Sequence, residues 1–238
     1  MKSLYKTKNN TANNHIKNSN MKKIIASAFL SFLVVAATAQ SEKYTKAMQA
    51  NVATIDSLHT AQAWTDMSNT FQRIADAEKT QWQPYYYAAL GLVMTGYMEG
   101  AATGGSAGAD KIDPLANKAE ELLNKAEALS KDNSEIFCVK KMIATLRMMA
   151  DPMNRYMTYG PQAAEALQKA KSLNPENPRV YLLEGQDKFY TPEQYGGSKT
   201  EAKTLFEQSI KKYEAKPASG IDPQWGKSQV LFFLDQLK

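Results

Sequence analysis

Three observations on the 238-residue sequence predict an all-α fold built from antiparallel helical hairpins. Strand signals are scarce, with no run of alternating β-branched residues and no Asn-Gly turn. Apolar residues recur at i, i+4 and i+7, the spacing of one helix face, as in Met48/Val52/Ile55, Ala119/Leu123/Ala126 and Ala163/Leu167/Ala170. Five of the nine prolines (Pro84, Pro114, Pro161, Pro178 and Pro223) stand at predicted helix starts. There the missing N–H is harmless, whereas inside a helix each proline costs about 3 kcal/mol.

Taken in order, 41–58 forms a first helix and 61–77 a second, with Trp64, Met67, Phe71, Ile74 and Ala75 at helical spacing. Pro84 opens a long apolar helix to about Met98. The Gly/Ala-rich stretch 100–113 lacks periodicity and reads as a loop. Asp113-Pro114 supplies an N-cap acceptor and a proline for the next start. Residues 131–134 form a turn, and a helix continues to Met149. The stretch 151–160 reads as an insertion before Pro161. Asn174-Pro175-Glu176-Asn177-Pro178 stops one helix and starts another. After a loop over 191–197, Ser198-Lys199-Thr200-Glu201 has the form of a capping box. Asp222-Pro223 opens a final helix. The expected architecture is four helix pairs, at 42–78, 84–130, 134–173 and 178–214, with a terminal cap at 222–237.

Ala163, Leu167, Ala170, Pro175, Tyr181 and Gly185 follow the small–bulky–small, proline, aromatic, glycine order of the tetratricopeptide repeat, which this stretch resembles. Tyr87, Leu90 and Gly91 match a second copy. Ala202, Phe206 and Ser209 repeat the stripe after an extra stretch within 191–197. In the middle copy Phe137 holds the aromatic position, but Lys141 replaces the glycine. The resemblance implies hairpins stacked as a right-handed superhelix, closed by a C-terminal capping helix.

Residues 1–20 are polar, basic and rich in asparagine. Met21 then opens a signal-peptide pattern: Lys22 and Lys23, an apolar run over 24–35, and Ala37-Thr38-Ala39 as a cleavage site. Met21 is the expected start, with cleavage after Ala39, an exported mature domain over 40–238 and no stable membrane span. Without the six lysines of residues 1–39, 23 basic residues face 24 acidic ones, so the electrostatic footprint of nucleic-acid binding is missing. Cys138 is the only cysteine and cannot form an intramolecular disulfide.

No catalytic constellation emerges. Gly104-Gly105-Ser106-Ala107-Gly108 has the letters of a nucleophile elbow and of a glycine-rich phosphate loop, but lacks the strand and the lysine that such motifs need. His59 is the only histidine beyond the leader. No metal site or cofactor is expected. Met142, Met148, Met149, Met153 and Met157 are dense enough to raise soft-metal binding, against which methionine as core filler is the commoner use.

By the resemblance, the first helix of each hairpin lines a concave groove. This makes Tyr85, Leu92, Arg179, Gln186 and Tyr190 the candidates for binding a protein or peptide partner in the periplasm or outside the cell. The alternative is a small-molecule-binding accessory subunit of a transporter. Arg179 sits in the first turn of its helix, where a cation is disfavoured, which suggests service to an acidic group and little role in stability.

Overall fold

The computed structural model describes residues 42–103, 108–217 and 219–238. The leader, its start at Met21 and the cleavage after Ala39 lie outside these residues, as does most of the glycine motif at 104–108. The chain divides into two compact units, Met1–Lys46 and Ala47–Lys238. In the first, residues 42–46 are helical.

The second unit is all helix and loop among its described residues. A helical stretch over 47–52 (α1) and a short 3-10 turn, Ile55–Ser57, bury Met48, Val52 and Ile55. There follow α2 (Ala61–Glu78), α3 (Trp82–Ala102), α4 (Ala109–Leu129), α5 (Ser134–Met149), α6 (Pro152–Leu173), α7 (Pro178–Tyr190), α8 (Lys199–Ala215) and α9 (Lys227–Gln236). Sequence neighbours pack as hairpins: α2 on α3, α3 on α4, α5 on α6, and α7 on α8. The first helices of successive hairpins also touch, α3 on α5 and α5 on α7, and α9 covers α8.

Local chemistry explains the starts. Thr60, Asn133, Asp151, Asn177 and Ser198 each accept a hydrogen bond from a first-turn backbone N–H, satisfying a donor that the helix leaves unpaired. Ser198 delivers only half of the expected capping box. Its hydroxyl accepts from Glu201 N at 3.1 Å, but the Glu201 carboxylate pairs with Lys188 at 2.6 Å instead.

The predicted hairpins at 84–130, 134–173 and 178–214 pair as expected, α2 packs on α3 across the first two predicted pairs, and three helix starts move. Helix α4 begins five residues before Pro114, which lies inside it, because Ile112 is buried and extends the stripe of Ala116, Ala119, Leu123 and Ala126. No insertion separates α5 from Pro161. Asp151 caps and Pro152 starts α6, and Pro161 sits in its interior on the exposed side. The last helix begins at Lys227, not at Pro223; residues 222–226 are a non-helical crossing segment.

Two close crossings fall at the expected glycines, and a third, between α3 and α5, falls at Gly96, where a Cβ would lie 2.8 Å from Leu146. A Cβ on Gly185 would lie 2.5 Å from the Phe206 ring, and one on Gly91 would lie 2.9 Å from Ser68 and from the Trp64 carbonyl. In the middle hairpin, Lys141 at the glycine position is 3% exposed and reaches out of its crossing to Asp187 Oδ1 at 2.6 Å. No helix among the described residues is long and apolar enough to cross a membrane.

Candidate functional site

Helices α3, α5 and α7 bring Tyr86, Tyr87, Glu135 and Arg179 to one face, where the resemblance places an open groove. The chain's own segment 222–226 occupies that face. Trp225, 2% exposed, donates from Nε1 to Tyr86 Oη at 2.6 Å. Tyr87 Oη donates to the Asp222 carbonyl at 2.6 Å, and Arg179 Nη2 donates to the Pro223 carbonyl. Tyr213 Oη donates to the Trp225 carbonyl at 2.9 Å. Gly226 adopts φ +106° and lies against Tyr213, a backbone position that a side chain could not share.

The five sequence-derived candidates therefore do not share one open groove. Tyr85 and Leu92 are buried in α3. Arg179 is 4% exposed, and its guanidinium is committed to Glu135 and to the crossing segment. Helical spacing placed it on a free face because the spacing carries no information about a segment arriving from 44 residues away. Gln186 is half-buried and donates to Gln229 at 3.4 Å. Only Tyr190 is open, at 67%, with its ring edge-on to Phe189 and Phe233.

A different concavity is open. Between α4, α5 and α6 lies a groove of about 690 Å³. Leu123, Phe137, Ile143, Ala144 and Ala166 supply its apolar wall, and Lys140, Arg147 and Lys169 stand among them. The cations are held in place. Lys140 reaches both oxygens of Glu127 at 2.7 Å and lies 4.8 Å from the Phe137 ring centre. Arg147 forks onto Glu120 at 3.0 and 3.2 Å and donates to Asn117 at 2.8 Å. Lys169 lies 3.5 Å from Asp132 and 5.9 Å from the same Phe137 ring. Glu120 and Glu165 also line the groove, which leaves its lining with one net positive charge.

Sequence reasoning missed this groove. A signal existed: Phe137, Lys140, Ala144 and Arg147 fall at i, i+3, i+7 and i+10, one stripe of α5 that is apolar and basic together. Among the described residues no group of three His, Cys, Asp or Glu side chains could hold a metal ion. Cys138 is buried, receives a contact from Asn177 Nδ2 at 3.7 Å, and burial pushes its thiol well up, away from the reactive thiolate.

No family model matches the chain, so the tetratricopeptide resemblance rests on the residues that carry it. No curated protein matches it either. Among solved structures it is similar to the HusA haemophore from Porphyromonas gingivalis, at 34% identity and a TM-score of 0.71. The match covers 82% of this chain and 92% of that one. With that identity over nearly the whole of the relative, the protein belongs to the family of the HusA haemophore.

Proposed function

We propose that the protein is an exported, non-catalytic carrier of a tetrapyrrole, haem foremost, held in the groove between α4, α5 and α6. The observation that carries this reading is the composition of the groove. Its volume falls within the range of ordinary small-molecule sites, about 300–1,000 Å³. A porphyrin is a flat apolar disc with two carboxylates on one edge. Leu123, Phe137 and Ile143 suit the disc, and Lys140, Arg147 and Lys169 suit the carboxylates, as charge-assisted donors. Kinship with a haemophore supports the choice of ligand.

The groove lining contains no histidine, cysteine, methionine or tyrosine, so its wall offers the iron none of the usual axial ligands. Affinity then comes from the faces and edge of the macrocycle, and iron-free protoporphyrin should bind about as well as haem. Absorbance titration with both tests this. Failure of both to bind overturns the ligand. Ala166→Trp, which fills the groove, should abolish uptake without changing the melting temperature; unchanged uptake by that variant overturns the location.

A second reading, a protein partner, is favoured by one feature. Tyr190 and Phe232, 67% and 59% exposed, form an aromatic surface over Phe233 on the terminal hairpin. Aromatic anchors of this kind are typical of protein interfaces. Crosslinking in envelope extract should recover a stoichiometric partner that Tyr190→Ala loses; recovery of none counts against it.

A further inference from the structure

The methionines that the sequence assigns to core filling divide into two groups. Met142 is buried and Met148 half-buried, as that role requires. Met149, Met153 and Met157 are 41%, 93% and 80% exposed, and fill nothing. All three gather at the corner where α5 hands over to α6. Met149 is the last residue of α5, Met153 the second of α6, and Met157 lies one turn further on.

The backbone of this corner is held while the thioethers stay free. The Asp151 carboxylate accepts from Asn154 N at 3.3 Å and from Asn154 Nδ2 at 2.8 Å. Arg155 forks onto Asp113 of α4 at 2.6 and 2.8 Å and donates to the Arg147 carbonyl of α5 at 3.3 Å. Residues four apart on a helix have Cβ atoms about 5–6 Å apart, and three rotatable bonds per side chain let two such sulfurs meet on one ion. Tyr156, 62% exposed on the same turn, adds a ring face that attracts a cation. Asp151 also offsets the positive end of α6, which would otherwise repel one.

We propose that Met149, Met153 and Met157 form a surface thioether site for a soft monovalent cation, with Cu(I) the biological ion and Ag(I) its redox-inert stand-in. Thioether donors select soft d¹⁰ ions over zinc, magnesium or calcium. None of the three residues lines the groove between α4, α5 and α6, so the site stands apart from the tetrapyrrole reading. An ordinary apolar docking patch explains the observations less well: polar Asn154, Thr158 and Gln162 interrupt the surface, and the large exposed aliphatic side chains at the corner are all methionines.

The test is titration of the purified protein, its methionine methyls labelled with ¹³C, by silver nitrate in chloride-free buffer and then by Cu(I) under anaerobic reductant. The Met149, Met153 and Met157 methyl signals should shift together and saturate at one equivalent. The double variant M153L/M157L keeps the side-chain volume and removes two sulfurs. It should bind Ag(I) about tenfold more weakly or worse, a loss on the scale of a disturbed metal site, with its melting temperature and porphyrin uptake intact. Separate saturation of the three methyls, capture of the first equivalent by Cys138, or full affinity in the double variant would each overturn the site.

Discussion

Arg179 Nη1 donates to Glu135 Oε1 at 3.1 Å, and this pair joins α7 to α5 beneath the crossing segment. The guanidinium lies 5.2 Å from the Trp225 ring centre and 5.5 Å from that of Tyr213. Tyr86 Oη completes the set by donating to Glu135 Oε2 at 3.3 Å. Burial pushes the Glu135 carboxyl above its ordinary range, against the pull of Arg179. Burial is the largest influence on Arg179 and works against its charge, but Glu135 together with the neighbouring groups outweighs it and keeps the guanidinium protonated. Arg179→Ala should therefore destabilise the fold by up to about 3–5 kcal/mol, since it strands a carboxylate that is only 18% exposed. This replaces the sequence-based expectation of an unchanged melting temperature. Urea denaturation decides; a loss below about 1 kcal/mol would mean that the pair is solvated.

Gly185→Leu should cost at least about 1–3 kcal/mol, the range for forcing bulk into a packed core. The Phe206 ring already stands 2.5 Å from where a Cβ would begin, and it is stacked on Phe233 at 4.9 Å and so has no free direction in which to swing. Thermal melts of the variant measure this. An unchanged melt would remove the α7–α8 crossing from the fold.

Removal of residues 222–238 should produce aggregation and dye binding. The deletion takes away Trp225 and α9, uncovering Tyr86, Tyr87 and Phe206, which are fully buried in the intact chain. Size-exclusion chromatography distinguishes the outcomes. A monomeric truncation with an unchanged melt would show that the segment is dispensable.

Alkali should unfold the protein steeply. Burial holds the phenols of Tyr86, Tyr87 and Tyr213 well above their ordinary value of about 10. The folded state then keeps protons that the unfolded state releases, so this contribution is intact below pH about 10 and is lost as pH rises past it, by about 1.4 kcal/mol per pH unit for each tyrosine. Absorbance near 295 nm, followed with circular dichroism, checks this: these phenols should ionise only as the helices melt, and Tyr87→Phe should flatten the transition.

The groove shows where sequence legibility stopped. Leu123 and Phe137 were visible as hairpin positions, and Lys140 and Arg147 as ordinary helix charges. Nothing in either pattern says that α4 and α6 stand far enough apart over α5 to leave about 690 Å³ between them. The start of α6 is different, because Asp151-Pro152 carries a cap-and-proline signal in the sequence, the same one that Asp113-Pro114 carries inside α4.

By itself the sequence determined the helices, three of the hairpins and the close crossings at Gly91 and Gly185. Periodicity, caps and glycines act within a turn or two, and Gly185 meets Phe206 only 21 residues away, inside one hairpin. What only the tertiary structure decided is which face is open. The contacts that close the expected groove span 44 residues from Arg179 to Pro223, 135 from Tyr87 to Asp222 and 139 from Tyr86 to Trp225. A segment without helical periodicity makes them, two through backbone carbonyls that every residue carries and one through the Trp225 indole. Local periodicity therefore does not encode them, and they exist only once the hairpins are stacked.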